Sequence, residues 1–593
     1  MAHLAARRYI EFLRPAQLML PVVALLAAGL ALPGCASGGD ARLRETPLLV
    51  PPDAHAELRS TPVIDVHAHT YNASMVPLMG IALGKRDALW FLQLVDDRNA
   101  RCFATYCSSL VYWFEQTRDA ERADRWALAQ TSEQEGWSVQ TLEANPVLRA
   151  VRCIFLEKFG TPSSSAELCK RHEKAAAALR DILQPLMTIE VERGFSEFVE
   201  VLLTPRSTVP QAYLDALAGH PTLHERHRLG LLVSHTGDLA PVHNQRPSRL
   251  LLDYPTEQIE VARAQQEAMG GSMVYFVGYN PFRDHWPHEE PGDALEIVRE
   301  AISDHGAMGV KFYPPSGYRP IGNDAPSPPI ALFTPFPRRQ WDARYTQPAS
   351  DADGGTILQP VTNEQLDARV AALLEYCEDN DIPVFAHCNT GEFEARKGYG
   401  VHHSDPDFWK AYLEQRTKVL GRRSELRLCL GHAGGSSFWF GDSDGKAAEQ
   451  RRWGRLVYEL CTTYPNVYCE IGVHGQIGHE DDREHFIEKL AELYEDSHGR
   501  PGSSPDGEKR PFPFHTKIMY GTDWFMPSGL TLVNYFDAYE EALLDDRVRN
   551  TYYRNFFLNN ALRFLNATER RHDERLPAAV RTRLDELVQA SDL

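Results

Sequence analysis

Two histidines one residue apart, in Asp65-Val66-His67-Ala68-His69, close a short apolar run at 63–64. In an extended strand alternate side chains share a face, so His67 and His69 project together and form half of a chelating site for a divalent ion. Three more polar residues hold the same kind of position. His387 follows the apolar residues 382–386, His432 follows 426–431 and Asp523 follows 518–522, and loop-forming residues come after each. Taken singly, each reads as a buried core histidine or a capping aspartate. Five of them at the ends of apolar runs read better as one metal site.

The elements that must bring these residues together are short apolar runs bounded by turn residues. They fall at 63–66, 231–234, 273–278, 309–313, 383–386, 426–431, 467–471 and 517–521, with helix-length segments between them. Strands that alternate with helices indicate parallel βα units, and eight units fit an α/β fold of the closed (β/α)8 TIM-like barrel type. The second strand is the least defined, because 198–203 competes with 231–234. Segments 292–305 and 362–380 carry apolar residues at helical spacing, each just before a strand. In such a barrel the C-terminal strand ends converge on one rim, where His67, His69, His387, His432 and Asp523 would meet.

The expected organisation is a signal segment at 1–34, a tether at 35–60, the barrel at 61–566 and a C-terminal helical tail at 567–593. Two segments are too long for ordinary connections: an aromatic-rich stretch at about 84–190, expected as a helical insertion after the first strand, and a Pro/Asp/Gly-rich stretch at about 318–360, expected as an irregular loop. A polar stretch at 498–511 reads as a surface loop.

Composition is that of an ordinary globular chain: 593 residues, 43% hydrophobic and 24% charged. The net charge of -19 argues against nucleic acid as a partner, since a phosphate backbone selects a basic surface. At the N-terminus Arg7, Arg8 and Arg14 precede the apolar run 18–32, which ends in Leu32-Pro33-Gly34-Cys35. That ending resembles the lipobox of bacterial lipoproteins, and Arg7-Arg8 hints at twin-arginine export. The resemblance implies lipidation of Cys35 and a lipid-anchored protein of the bacterial cell envelope, at its periplasmic face or surface. Ten cysteines with no C-x-x-C make a structural zinc knuckle a poor fit. Cys102, Cys107, Cys153 and Cys169 lie in one segment and could pair, whereas Cys388, Cys429 and Cys469 sit in or beside apolar runs as buried thiols.

The D-x-H-x-H of the first strand, His on the fifth and sixth and Asp on the eighth resemble the amidohydrolase superfamily. Asp405-Pro406-Asp407-Phe408-Trp409, Leu430-Gly431-His432-Ala433-Gly434-Gly435, Tyr520-Gly521-Thr522-Asp523-Trp524 and Asn559-Asn560-Ala561-Leu562-Arg563 look like its amidohydrolase-related, metal-dependent hydrolase branch. By that resemblance His67, His69, His387 and Asp523 are metal ligands, and His432 is either a further ligand or the group that polarises the substrate. One or two divalent ions are implied. Zn(2+) suits an imidazole-rich set best, with manganese, nickel and iron as alternatives. Such an ion lowers the pKa of bound water, and Asp523 could take the proton as general base.

Lys311, in Gly309-Val310-Lys311-Phe312-Tyr313-Pro314, stands where some superfamily members carry a carboxylated lysine bridging two metals. The bland reading is an unmodified lysine paired with a carboxylate. Arg283, Tyr313 and Trp524 are candidate substrate contacts on the same rim, as are Arg319, His402 and His403, and His235 follows the second strand. Asp65 fits a supporting hydrogen bond better than a ligand. The reaction expected is hydrolysis of an amide, lactone or ester-type bond of a small molecule, with a metal-dependent decarboxylase as the alternative and a non-catalytic tethered binding protein as a third reading. The partners expected are a small-molecule substrate, the membrane through Cys35 and, left open, a second copy of the chain.

Overall fold

The computed structural model describes residues 55–71, 209–217, 228–238, 255–283, 293–323, 362–391, 398–441, 447–499, 509–526 and 530–593, with Val201 and the backbone of a hairpin between 347 and 359. The signal segment, Cys35, the stretch at 84–190 and its four cysteines lie outside the described residues.

Eight parallel strands form one sheet in chain order: β1 (Val63–Ala68), β2 (Leu229–His235), β3 (Met273–Tyr279), β4 (Gly309–Phe312), β5 (Val384–His387), β6 (Leu428–Gly431), β7 (Val467–Glu470) and β8 (Ile518–Met519). The sheet returns on itself. Val66 N–H donates to Tyr520 O (3.2 Å), Thr522 N–H donates to His67 O (3.2 Å), and Ala68 bridges Trp524 in parallel sense, so β8 lies against β1 in a nearly closed barrel. Among the described residues each strand is followed by a helix: α1 (Val209–Leu217), α2 (Pro255–Ala268), α3 (Ala294–Ser303), α4 (Asn363–Asp379), α5 (Pro406–Leu420), α6 (Ala447–Thr463), α7 (Glu480–Ser497) and α8 (Leu532–Leu543). This is the (β/α)8 architecture. Its second strand is Leu229–His235, and Val201, in the competing run, is helical.

Local chemistry explains the helix starts. Thr362 and Gln365 form a reciprocal capping box at α4, and the Asp293 carboxylate accepts from the N–H of Leu295 at α3. Asp405-Pro406-Asp407 is the same kind of device: Asp405 caps α5, and Pro406 sits at a first-turn position that needs no N–H. Trp409 then buries its ring edge-on to Phe312 of β4. The Pro/Asp/Gly-rich stretch at 318–360 is not wholly irregular, because Gln347–Ser350 and Thr356–Gln359 pair as an antiparallel hairpin.

Period-2 alternation sorts the strand side chains into two sets. One set, including Val63, Leu232 and Met273, packs outward on the helices. The other, including Ile64, Val66, Leu231, Val274 and Phe385, fills the barrel. That interior continues without a break into Leu558, Leu562, Phe564, Val580 and Leu584, so the helices beyond α8 pack as the floor of the barrel. Helix α9 (Ala578–Gln589) is pinned there by Arg583, which donates to Gly230 O (2.8 Å) and Leu229 O (3.0 Å). Asn560 donates to Ile518 O (2.8 Å) and His515 O (3.0 Å), holding the chain just after α8 to the start of β8. Cys388, Cys429 and Cys469 are buried free thiols.

Candidate metal centre at the barrel mouth

The C-terminal strand ends bring His67, His432 and Asp523 together, with one ligand atom from each lying within 4.8 Å of the others. His69 and His387 join them. His67 Nε2 and His69 Nε2 lie 3.1 and 2.9 Å from the same Asp523 oxygen, Oδ1, although His69 and Asp523 are 454 residues apart in sequence. His387 Nδ1 is 3.1 Å from His432 Nε2, and His387 Nε2 is buried with no hydrogen-bond partner among the described residues.

Strand geometry places the first pair, and sharp turns place the last. His432 and Asp523 have φ of 60° and 55°, in the left-handed region that side-chain-bearing residues rarely enter. Main-chain bonds hold both there: His432 N–H donates to Glu470 Oε2 (3.1 Å) and Asp523 N–H donates to His67 O (2.6 Å). The turn swings each side chain from the strand line into the mouth. Left-handed backbone of this kind costs on the order of 1–3 kcal/mol per residue and concentrates at functional sites.

The donor set fits a cation. His67 Nδ1 is committed to the Glu470 carboxylate (3.2 Å), His69 Nδ1 donates to His235 O (3.0 Å) and His432 Nδ1 donates to Gly472 O (3.3 Å). With Nδ1 occupied, the Nε2 atoms of His67 and His69 turn lone pairs toward Asp523 Oδ1, itself an acceptor. Acceptors that face acceptors in a buried space need positive charge beside them; Lys311 Nζ, 2.9 Å from His67 Nε2, supplies one such charge, and a bound cation would supply another. Burial pushes the His67 ring well below the usual imidazole range, with the Lys311 charge adding to it, and the His387 ring likewise. Burial also lowers His432, to about 4. The rings are therefore neutral ligands at neutral pH. Burial alone would raise Asp523, but the contact with His69 and the neighbouring His432 and Lys311 outweigh it and hold its carboxyl below the usual carboxylate range, so the group is an anion.

Lys311 Nζ sits 2.9 Å from His67 Nε2 and 4.4 Å from the centroid of the Phe385 ring, so the β4 lysine reaches the ligand atoms themselves. Asp65 is buried and serves barrel closure. Its carboxylate accepts from the N–H groups of His67 and Thr522 (both 3.1 Å), from Thr522 Oγ1 (2.6 Å) and from Tyr213 OH (2.9 Å), and burial raises it to about 6.

The rim candidates divide. Tyr313 stands beside the site, its ring 4.9 Å from that of His387. Arg283 is instead taken up by Asp238 through two hydrogen bonds, both partners buried, so it does not stand ready for a substrate anion. The reason is a carboxylate 45 residues earlier in the chain. Trp524 packs edge-on against Tyr213 and Phe525, as part of the wall near Asp65. Arg319 donates to His402 O and Gly322 O and lies over Phe408; His403 Nδ1 donates to Tyr399 O, and both side chains serve the loops. His235 is interior, its Nε2 donating to Val66 O (2.8 Å), which ties β2 to β1 beneath the histidine pair.

Sequence reasoning missed Glu470. It ends β7, is fully buried and touches both His67 and His432. The signal was present as a lone carboxylate inside the apolar run 467–471. Burial, with Asp523 nearby, pushes it well above the usual carboxylate range. A buried carboxylate is costly without compensation, and a cation across the His67 ring would supply it.

Fold and site together define a (β/α)8 barrel with a metal-type donor set at its C-terminal mouth. Residues 282–498 match the family model for amidohydrolases, a match over little more than a third of the chain that supports a likeness to the amidohydrolase superfamily. That superfamily includes hydrolases and decarboxylases and typically binds a divalent metal. The matched span contains Lys311, His387, His432 and Glu470 but not His67, His69 or Asp523; of these three, His67 and Asp523 fall in the His67–His432–Asp523 cluster that could hold a metal ion. No curated protein matches the chain.

Proposed function

We propose that this protein is a metal-dependent hydrolase that uses activated water to cleave an amide, lactone or ester-type bond of a small molecule. The observation that carries this reading is Asp523 Oδ1, a carboxylate held anionic within 3.1 Å of His67 Nε2 and His69 Nε2. His67, His69, His387, His432 and Asp523 would hold the ion, with Zn(2+) the best match to this donor set. When bound, a divalent ion supplies Lewis acidity and makes water acidic enough to lose a proton near neutral pH.

The chain's own groups do the rest. Asp523 accepts the proton of the attacking water at Oδ1 or Oδ2 and returns it to the leaving atom. His432, neutral and turned into the mouth, ligates or polarises the scissile carbonyl. Phe385, Tyr313 and the buried strand ends keep bulk water from the ligand atoms.

Lys311 is proposed as a second supporting group, carboxylated when two ions are bound. Elemental analysis of metal per chain, paired with a substrate panel scored for acid release against CO2 release, tests the whole reading. Acid release that chelation abolishes and Zn(2+) restores is expected, with CO2 release instead assigning a decarboxylase. Two equivalents of metal falling on Lys311→Ala support the carboxylated lysine, and one equivalent indifferent to that change rejects it. A protein that binds no divalent ion overturns the proposal.

A further inference from the structure

Glu470 makes contacts that a core residue would not need. One oxygen, Oε2, receives the ring Nδ1–H of His67 (3.2 Å) and the main-chain N–H of His432 (3.1 Å), groups on β1 and just after β6. A single atom thus sets the face of one metal-binding ring and the left-handed turn that aims another. The other oxygen, Oε1, is buried with no hydrogen-bond partner among the described residues. It occupies a slot walled by Gly472, two residues on, and Gly521, at the end of the neighbouring β8. A Cβ at either position would fall onto Oε1, and one at Gly521 would also come within 2.7 Å of Glu470 Cγ. Neither glycine has a positive φ. Backbone freedom therefore does not account for glycine at either place, whereas room for this carboxylate does.

We propose that Glu470 is the positioning residue of the metal centre, fixing His67 and His432 through one oxygen, and that Gly472 and Gly521 are glycine to admit it. The inference rests on the metal reading above. A carboxylate on the far nitrogen of a metal-binding imidazole fixes the tautomer, orients the ring and strengthens it as a donor. Glu470 does this for His67 while holding the main chain of His432 in register with it.

The test is Zn(2+) affinity, measured by competition with a chromogenic chelator on the full-length protein, with the melting curve of the metal-stripped protein alongside. Loss of a supporting carboxylate of this kind typically weakens binding about 10- to 100-fold, so E470Q is expected to fall in that range and keep its metal-free melting curve. G521A, whose new Cβ displaces the same carboxylate, is expected to weaken Zn(2+) to a similar extent. The double variant G521A/E470A is then expected to bind no more weakly than E470A, since the added methyl has nothing left to displace. Wild-type affinity in E470Q, or losses that simply add in G521A/E470A, overturns the inference while the metal reading stands. Wild-type protein that binds no divalent ion overturns the metal reading, and the inference falls with it. If E470Q does not fold, the comparison of G521A with G521A/E470A decides.

Discussion

The two ends of the barrel interior are built from the same strands and serve opposite purposes. At the N-terminal end Ile64, Val66, Leu231 and Phe276 meet Phe564, Leu584 and Leu587 in a dry apolar floor. At the C-terminal end the barrel strands carry His67, His235, Lys311, His387 and Glu470, all buried as well. Apolar contact stabilises the floor wherever side chains fit, by about 1.5–3 kcal/mol for each large side chain buried. The mouth buries ionisable groups whose solvation loss is repaid only by specific partners. One end stabilises the fold, and the other uses that stability to hold groups that would not otherwise stay together.

This contrast can be broken at either end. The largest expected effect is at the mouth: Asp523→Asn removes the proton acceptor and should lower kcat about 100- to 10,000-fold, measured on whichever substrate the panel identifies. Retained activity would remove Asp523 from the chemistry. At the floor, Leu584→Ala should cost about 2–5 kcal/mol of unfolding free energy in urea melts while leaving Zn(2+) affinity at the wild-type value. A coupled loss of affinity would show that the two ends are not independent.

The smallest effect separates the ends by pH. His432 has its folded pKa lowered to about 4 from an ordinary value of 6.5, so the unfolded chain binds its proton first as pH falls. Its contribution to stability is therefore intact above about 6.5, declines as pH drops and levels off below about 4. The stability difference between wild type and His432→Asn should shrink across that window, and the difference for Leu584→Ala should stay flat. Denaturant melts from pH 7 to 4 check both.

Much of this was readable beforehand because strand ends have a local signature. A polar residue that closes an apolar run stands out in a single sequence, and His387, His432 and Asp523 all do so. Glu470 lies inside a run, yet a lone carboxylate carries no pattern, and its meaning comes from His67, 403 positions away. Arg283 shows the converse. It looked available for an anion until folding placed Asp238 against it. The segment at 567–593 reads as a helical tail, because its apolar spacing says that it packs, not on what; the structure packs it against the barrel floor.

By itself the sequence determined the alternation of strands and helices, the superfamily resemblance and the residue types able to bind a metal, because each depends on neighbours a few positions apart. Only the tertiary structure decided which groups share an atom. Asp523 Oδ1 between two imidazoles, Glu470 Oε2 between a ring and a main-chain turn, and Arg583 under the start of β2 all join segments more than 300 residues apart or on different strands. Those pairings follow from barrel closure, which sets distances along a circle of strands and not along the chain.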